Sequence, residues 1–489
     1  MKQLLGNLIN WFEFRLRLSD NVLKMMRHPI PRGAAGAKGW FYVFGSASLT
    51  LFLLQIITGI ALALVYVPSA DQAYETLWYL NLQAELGWFI RAMHNWSASA
   101  MVVMVLIHMT QVFLFGAYKY PRELTWLAGV VLLVCTLGLA FTGQVLRWDT
   151  DAYWGLNVGM AMIGRIPYLG PYLVHLLLGG PTVGGDTLSR FFALHVFILP
   201  GLLILFLTLH LYLVLKKGIS EPPKAGEGVD PKTYDAKYEE ELKNGVPFFP
   251  EAFYRDGVFC ALTVLAVVAL SIFAGPSGPD RPPDPALIPA SPRPDWYFLW
   301  LFALLALSPP KLETLIILLM PIVVGIILVA LPFIGGKGER HPSRRPGAVL
   351  LVILLAAVLG VLSYLGVVAP WSPHMEAWSG DPIPPAMIED RPPLELMGAV
   401  VFQNKQCRNC HALDGIGGQR GPDLTYVGTL LTKDELVRQV LQGGGNMPAF
   451  GKQLRPAEVE ALVAFLHSRH PKGQAPAGPS VKGIPIESD

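Results

Sequence analysis

Four histidines and one short cysteine–histidine motif carry most of the chemistry available to this sequence. His94 and His108 lie fourteen residues apart in an apolar run from Trp88 to Gly116, and His195 and His210 lie fifteen apart in a second run from Phe191 to Leu215. Runs of that length span a bilayer as helices. At about 100° and 1.5 Å per residue, fourteen steps leave two imidazoles about 40° from eclipsed and about 21 Å apart along the axis, and fifteen steps leave them about 60° from eclipsed. Two such helices side by side make two stacked pairs, His94 with His195 and His108 with His210. That suits two haems b, one near each membrane face, because a low-spin electron-transfer haem needs both axial positions filled by fixed nitrogens. A lone intramembrane histidine is equally well explained by a hydrogen bond to a neighbouring helix. Four at matched spacing are not, since each unpaired imidazole in hydrocarbon costs free energy without return.

The second signature is Cys407-Arg408-Asn409-Cys410-His411. This C-x-x-C-H pattern attaches a covalent haem c: the thiols of Cys407 and Cys410 reach the two vinyl groups while His411 meets the iron. A redox dithiol or half a zinc site uses the same cysteines without the adjacent histidine. The sixth ligand is expected at Met447, whose thioether opposite a histidine raises the potential; the rival Met397 falls on the helix before the motif, on the wrong side. Gly398 and Phe402 before the motif, and Leu462 to Leu466 after Met447, are placed on the two helices that close this domain.

The elements that must position these residues follow from hydropathy. The 489 residues are 52% hydrophobic and 15% charged, with a net charge of +2 and a mean hydropathy of +0.43. That is a membrane composition, and nothing in it argues for nucleic acid. Four cysteines are too few for a disulfide framework, and Cys135 and Cys260, alone in apolar helices, read as packing residues. The expected fold is all-α: a seven-span transmembrane bundle followed by a small helical domain. Residues 1–39 lack the pattern of a signal peptide and read as an amphipathic surface segment bearing Arg15, Arg17, Lys24 and Arg27. Residues 40–216 form a four-helix block and 217–255 a polar loop; residues 256–369 form a three-helix block. Residues 370–393 are a proline-rich tether, 394–470 a soluble domain and 471–489 a tail of disordered composition. Spans are expected at 40–67, 88–116, 124–146, 191–215, 256–275, 313–334 and 348–369; Trp296 to Leu307 is apolar but too short to cross. The loops on the N-terminal side hold 20 Lys and Arg against six on the other. By the positive-inside rule the N-terminus is cytoplasmic and the soluble domain lies on the outer, periplasmic side of the inner membrane.

With the quartet, the spans and one further motif in view, the first 370 residues resemble the cytochrome b of cytochrome bc and b6f complexes, and residues 394–470 resemble a small class I cytochrome c. The further motif is Pro294-Asp295-Trp296-Tyr297, similar to the family's quinol-site P-E-W-Y with Asp for Glu. Gly45 and Gly59, and Gly129 and Gly143, each pair fourteen apart, fit the family's glycines that let haem edges approach the backbone. The fifteen-residue histidine spacing, Trp11-Phe12-Glu13, the Val183 to Leu188 stretch and a three-helix second block look closer to the b6f branch. Val43 stands where that branch has a cysteine holding an extra haem.

The resemblance implies a quinol:cytochrome c oxidoreductase coupled to proton translocation. Quinol would be oxidised near Asp295 and Tyr297 at the outer face, one electron going to a Rieske iron–sulfur protein and then to the haem c, the other crossing by the two haems b to a quinone. It also implies a homodimeric complex with other subunits, set among membrane lipids and feeding a downstream cytochrome c or oxidase. Asp295 is the expected proton acceptor, against the alternative of a solvated loop acid. Lys216 and Lys217 are either part of an inner quinone site or headgroup anchors. The competing function is a di-haem membrane anchor and electron wire for another respiratory enzyme, which would need the histidines but not the outer loop.

Overall fold

The computed structural model describes residues 2–16, 26–180, 182–286, 293–368, 381–418, 421–444, 447–471 and 473–478. Arg17, Lys24, residues 370–380 of the tether and residues 479–489 of the tail lie outside them. Seven helices among the described residues are long and apolar enough to cross a membrane: Phe44–Ala63, Gly87–Leu114, Glu123–Val145, Gly185–Lys217, Phe248–Phe273, Leu312–Ile334 and Pro346–Val368. They are called spans one to seven. The apolar stretch before span six folds as the short helix Trp296–Leu307 and packs against span seven.

Span one packs on span two and span three on span four, which gives the four-helix block its two halves. Its middle is a layer of buried apolar side chains from all four helices and span five: Leu51, Met101, Cys135, Leu203 and Val267. Met101 and Leu203 sit halfway between the histidines of their own helices in sequence, so the layer separates two histidine levels and keeps water from joining them. Cys135 is part of it, as a packing residue.

Span four departs from a regular α-helix. Residues Leu194–Ile198 form a π-turn, with the Leu199 amide donating to the Leu194 carbonyl. A π-turn takes up one extra residue. The fifteen-residue spacing of His195 and His210 therefore covers the number of turns that fourteen residues cover on span two, and the 60° offset of a regular helix does not apply. The histidine levels of the two helices come into register through this turn.

The connecting loops carry more structure than their composition suggests. The segment between spans three and four folds into the helices Thr150–Gly164 and Gly170–Leu178, which bury Leu156, Met160 and Leu178 against Val145 and Phe191. Asp149 caps the first of them by accepting from the Ala152 amide at 2.9 Å. On the opposite, N-terminal side, the polar loop after span four contains the helix Tyr234–Lys243 and two strand pairs, Gly228–Val229 with Gly338–Glu339 and Pro29–Ile30 with Val246–Pro247.

That side is also where the two membrane blocks are clamped together. The buried Arg340 guanidinium pairs with the Glu221 carboxylate and donates to Ser220 Oγ at 3.1 Å and to the Phe115 carbonyl at 3.3 Å. Arg122 donates to the Gly218 carbonyl at 3.0 Å and to Tyr234 Oη at 2.6 Å, and Tyr234 donates onward to Glu221 at 2.9 Å.

In the C-terminal domain, Pro393–Asn404 crosses Pro456–His467 so closely that a Cβ at Gly398 would lie 2.0 Å from the Ala461 carbonyl oxygen. Phe402, Leu462 and Phe465 are buried at that crossing, as their sequence positions lead one to expect.

Removing one partner of a buried ion pair strands the other. Arg340→Ala should therefore destabilise the chain by about 3–5 kcal/mol, read as a lower thermal midpoint of the detergent-solubilised protein. An unchanged midpoint would mean that the clamp contributes nothing to joining the blocks.

Candidate haem centres

The His94 and His195 rings face one another with centroids 6.3 Å apart and planes inclined at 76°. A metal atom held between one nitrogen of each ring needs bonds of about 2 Å, plus about 1.2 Å from each nitrogen to its ring centre, a separation of about 6.4 Å. The gap fits one metal atom. His108 lies within electrostatic reach of His210 at the other level.

Hydrogen bonds decide which nitrogen is free for the metal. Thr58 Oγ1 lies 2.9 Å from His94 Nδ1 and 2.7 Å from the Leu54 carbonyl. A hydroxyl has a single proton, and the carbonyl can only accept it, so the threonine must accept from the histidine. His94 therefore carries its proton on Nδ1 and leaves Nε2 bare. Thr142 repeats this arrangement, 3.0 Å from His195 Nδ1 and 2.8 Å from the Gly138 carbonyl. His210 Nδ1 donates to the Thr125 carbonyl at 3.0 Å. His108 Nδ1 is buried with no partner among the described residues. In three of the four, the second contact that orients a ligating imidazole is in place.

Each of the four glycines faces one of these rings. A Cβ added at Gly59 would lie 3.2 Å from His94 Cε1, at Gly143 2.8 Å from His195 Cε1, at Gly45 3.4 Å from His108 Cε1 and at Gly129 3.6 Å from His210 Cε1. Span one thus supplies the cradle for the histidines of span two, and span three for those of span four. The glycines make room first for the imidazoles themselves, which refines the sequence expectation that they admit a haem edge.

In the C-terminal domain the His411 amide donates to the Cys407 carbonyl at 3.0 Å, closing a tight turn that holds Cys407, Cys410 and His411 together. His411 Nδ1 donates to the Pro422 carbonyl at 2.8 Å, and burial holds the imidazole pKa below its usual value, so a neutral ring offers Nε2. Burial pushes the Cys407 thiol up to about 12, which keeps it protonated before any haem is attached. Met447 packs against the domain core beside Gln439, whose amide reaches its sulfur at 3.6 Å.

The Pro294 to Tyr297 motif starts the short helix before span six. Tyr297 Oη donates to Asp295 Oδ2 at 2.8 Å and lies 3.3 Å from the Ala140 carbonyl of span three. Trp296 Nε1 donates to Ser99 Oγ of span two at 3.4 Å. Ser99 is five residues from His94 and Ala140 three from Gly143, so the motif sits beside the His94–His195 level. The other Asp295 oxygen lies 3.8 Å from the Arg147 guanidinium, which is also 3.1 Å from the buried Asp149. Burial, reinforced by the neighbouring carboxylate, raises the Tyr297 phenol well above its ordinary pKa and keeps it a donor.

Known proteins place this geometry. Residues 34–218 match the family described as Cytochrome b/b6/petB, residues 282–379 match Cytochrome b(C-terminal)/b6/petD, and residues 396–466 match Cytochrome C oxidase, cbb3-type, subunit III. A cytochrome bc complex cytochrome b subunit from Chlorobaculum thiosulfatiphilum is 33% identical over 363 residues, 72% of this chain and 79% of that protein. The chain belongs to the cytochrome b family of bc-type complexes. Cytochrome b6 of Prochlorococcus marinus (strain NATL1A) is 39% identical over 213 residues, 44% of this chain and 96% of its own length. A solved structure titled "Hyperthermophilic respiratory Complex III" superposes with a TM-score of 0.63 at 26% identity, covering 74% of this chain and 92% of that one. This cytochrome b is a multi-pass membrane protein with a cytochrome c-type domain fused to its C-terminus, and it is one subunit of a larger oxidoreductase complex.

Several residues of this site escape a reading by residue type. Thr58 and Thr142 look like ordinary helix threonines; the signal is the dipeptide Thr-Gly, present at Thr58-Gly59 and again at Thr142-Gly143 in this cytochrome b. Arg147 and Asp149 carry no motif; only the distance from Arg147 to Asp295 and the ion pair of Arg147 with Asp149 reveal them.

The glycine clearances predict unequal tolerance. Gly143→Ala forces a methyl to 2.8 Å from the His195 ring and should lower the content of the haem b at that level, whereas Gly129→Ala, at ordinary contact distance of 3.6 Å, should not. Equal haem loss in both variants, read from reduced-minus-oxidised spectra of purified protein, would contradict the assignment of each glycine to one ring.

Proposed function

We propose that the chain is the quinol-oxidising subunit of a quinol:cytochrome c oxidoreductase. The observation that carries this reading is the Asp295 carboxylate. It is 32% exposed, it receives a hydrogen bond from Tyr297 and faces Arg147, and it lies beside the outer histidine level. A passive electron wire has no use for such a group. A quinol that is oxidised loses two protons, and a partly exposed carboxylate on a loop can accept one and return it to water. Arg147 sets a positive charge 3.8 Å from one oxygen of Asp295, and Tyr297, donating at 2.8 Å, fixes the orientation of the other.

In this reading His94 with His195 and His108 with His210 hold two haems b, while Cys407, Cys410, His411 and Met447 hold one haem c. Those groups would supply one-electron relays at the two membrane levels and at the outer surface. A Rieske protein takes one electron of each quinol, a downstream cytochrome c or oxidase takes the output, and the complex is a homodimer with further subunits. The excess of Lys and Arg on the N-terminal side, 20 against six, supports a cytoplasmic N-terminus and a periplasmic c domain. Proton release at the outer face then couples oxidation to translocation.

Asp295→Asn keeps size and hydrogen bonding but removes the base. Quinol:cytochrome c reductase activity of the assembled complex should fall by about 10² to 10⁴-fold with haem spectra unchanged. Asp295→Glu, with the carboxylate retained, should keep most of it. Wild-type turnover in the Asn variant at every pH would make Asp295 a solvated loop acid and remove the argument for a quinol site here.

A further inference from the structure

Residues 275–286, Gly-Pro-Ser-Gly-Pro-Asp-Arg-Pro-Pro-Asp-Pro-Ala, leave span five and run over the outer surface toward Asp295. Five of the twelve are proline, so the strand has few amide protons to give and is recognised mainly through its carbonyls, although the Asp280 amide donates to Asp149 Oδ2 at 3.3 Å. Eight of the twelve carbonyls accept hydrogen bonds from described residues, and the donors change along the strand. Trp96 Nε1 donates to Gly275 at 2.8 Å, Arg91 to Ser277 and Gly278, each at 2.5 Å, and Tyr74 Oη to Asp280 at 2.6 Å. The Thr150 amide and hydroxyl take Arg281 at 2.9 Å and Pro282 at 2.8 Å. All of these donors belong to the membrane block.

The last two carbonyls face the other way. Pro285 accepts from the Ala449 amide at 2.7 Å and Ala286 from Gln453 Nε2 at 2.7 Å, and both donors belong to the c domain. A third contact brings Gly444 against Thr182, whose methyl lies 3.8 Å from the position of a Cβ at Gly444. Ala449 and Gln453 stand on a rigid piece of the domain. The Phe450 and Gly451 amides donate to Val440 and Leu441 at 3.0 and 3.1 Å, and Lys405 Nζ donates to the Gln453 carbonyl at 2.7 Å. Asp295, nine residues past Ala286, keeps its 32% exposure with the domain in this position.

We propose that this proline-rich strap is a docking seat for the chain's own c domain, read by the membrane block through its first carbonyls and by the c domain through its last two. The seat sets the segment that follows Met447 against the strap, and Asp295 remains 32% exposed with the domain there. The quinol-site loop therefore stays open to a partner while the c domain is held on the strap that leads to it. The functional meaning of that placement rests on the reading of Asp295 above; the seat itself does not.

The test joins single cysteines in the membrane-reconstituted holoprotein with a short bis-thiosulfonate linker. The pair Ala286→Cys and Gln453→Cys should link within one chain in most molecules, whereas Ala286→Cys with Glu460→Cys, on an exposed face of the same domain, should link at least several-fold less. Haem-stained bands and unchanged spectra confirm that both variants have folded. Because Gln453→Cys removes one of the two bonds, a second readout keeps Gln453: hydrogen exchange at the Ala449 amide should be slowed in the whole chain, and Thr182→Arg, which crowds Gly444, should speed it at least fivefold. Equal linking of the two pairs, or an Ala449 amide that exchanges equally fast in both proteins, overturns the seat. Quinol-driven reduction of the haems b, recorded on the same samples, reports on the oxidoreductase reading independently, so either proposal can fail without the other.

Discussion

The structure depends on the cost of placing four imidazoles in hydrocarbon. Each ring carries two nitrogens that water would otherwise satisfy, and an unpaired polar group in that setting is expensive. Three of the four meet half of that demand with an oxygen acceptor for Nδ1: Thr58, Thr142 and the Thr125 carbonyl. What remains is Nε2, and a metal between paired rings is the natural way to satisfy it. The rest of the four-helix block can be understood as the scaffold that holds four such nitrogens in two facing pairs.

That scaffold has little freedom. The rings need room, which the glycines of spans one and three supply. The helices need register, which the π-turn around His195 restores. The two levels must not communicate through water, and the layer of Leu51, Met101, Cys135 and Leu203 fills the space between them. On the N-terminal side Arg340 binds the second block to the first and Arg122 holds the polar loop after span four, and on the opposite side Arg91 and Thr150 hold the strap that leads to Asp295. Both surfaces use buried arginines on backbone carbonyls, which fix a loop without requiring a particular side chain in it.

Much of this was legible in the sequence, because the strongest signals were spacings. Hydropathy runs gave seven spans and kept Trp296 to Leu307 from becoming an eighth; the histidine, glycine and C-x-x-C-H spacings named the groups proposed to hold cofactors. What stayed hidden depends on contacts between segments far apart in the chain. A π-turn has no composition of its own, so the fifteen-residue spacing looked like a 60° offset. Thr58 and Thr142 look like any helix threonine until the ring beside each is placed. Helix Thr150–Gly164 lies between the expected spans, and the face that buries Leu156 and Met160 shows itself only through its packing against Val145 and Phe191. The strap is proline-rich and reads as linker, and its meaning lies entirely in which donors take its carbonyls.

The central claim is that four histidines hold two haems b in a chain whose fused domain holds one haem c. A pyridine haemochrome spectrum of the purified chain measures it most directly. Two haems b for each haem c is the result this account requires. One haem b for each haem c would mean that one of the two histidine levels holds no metal, and the reading of the quartet as a matched pair of sites would be wrong.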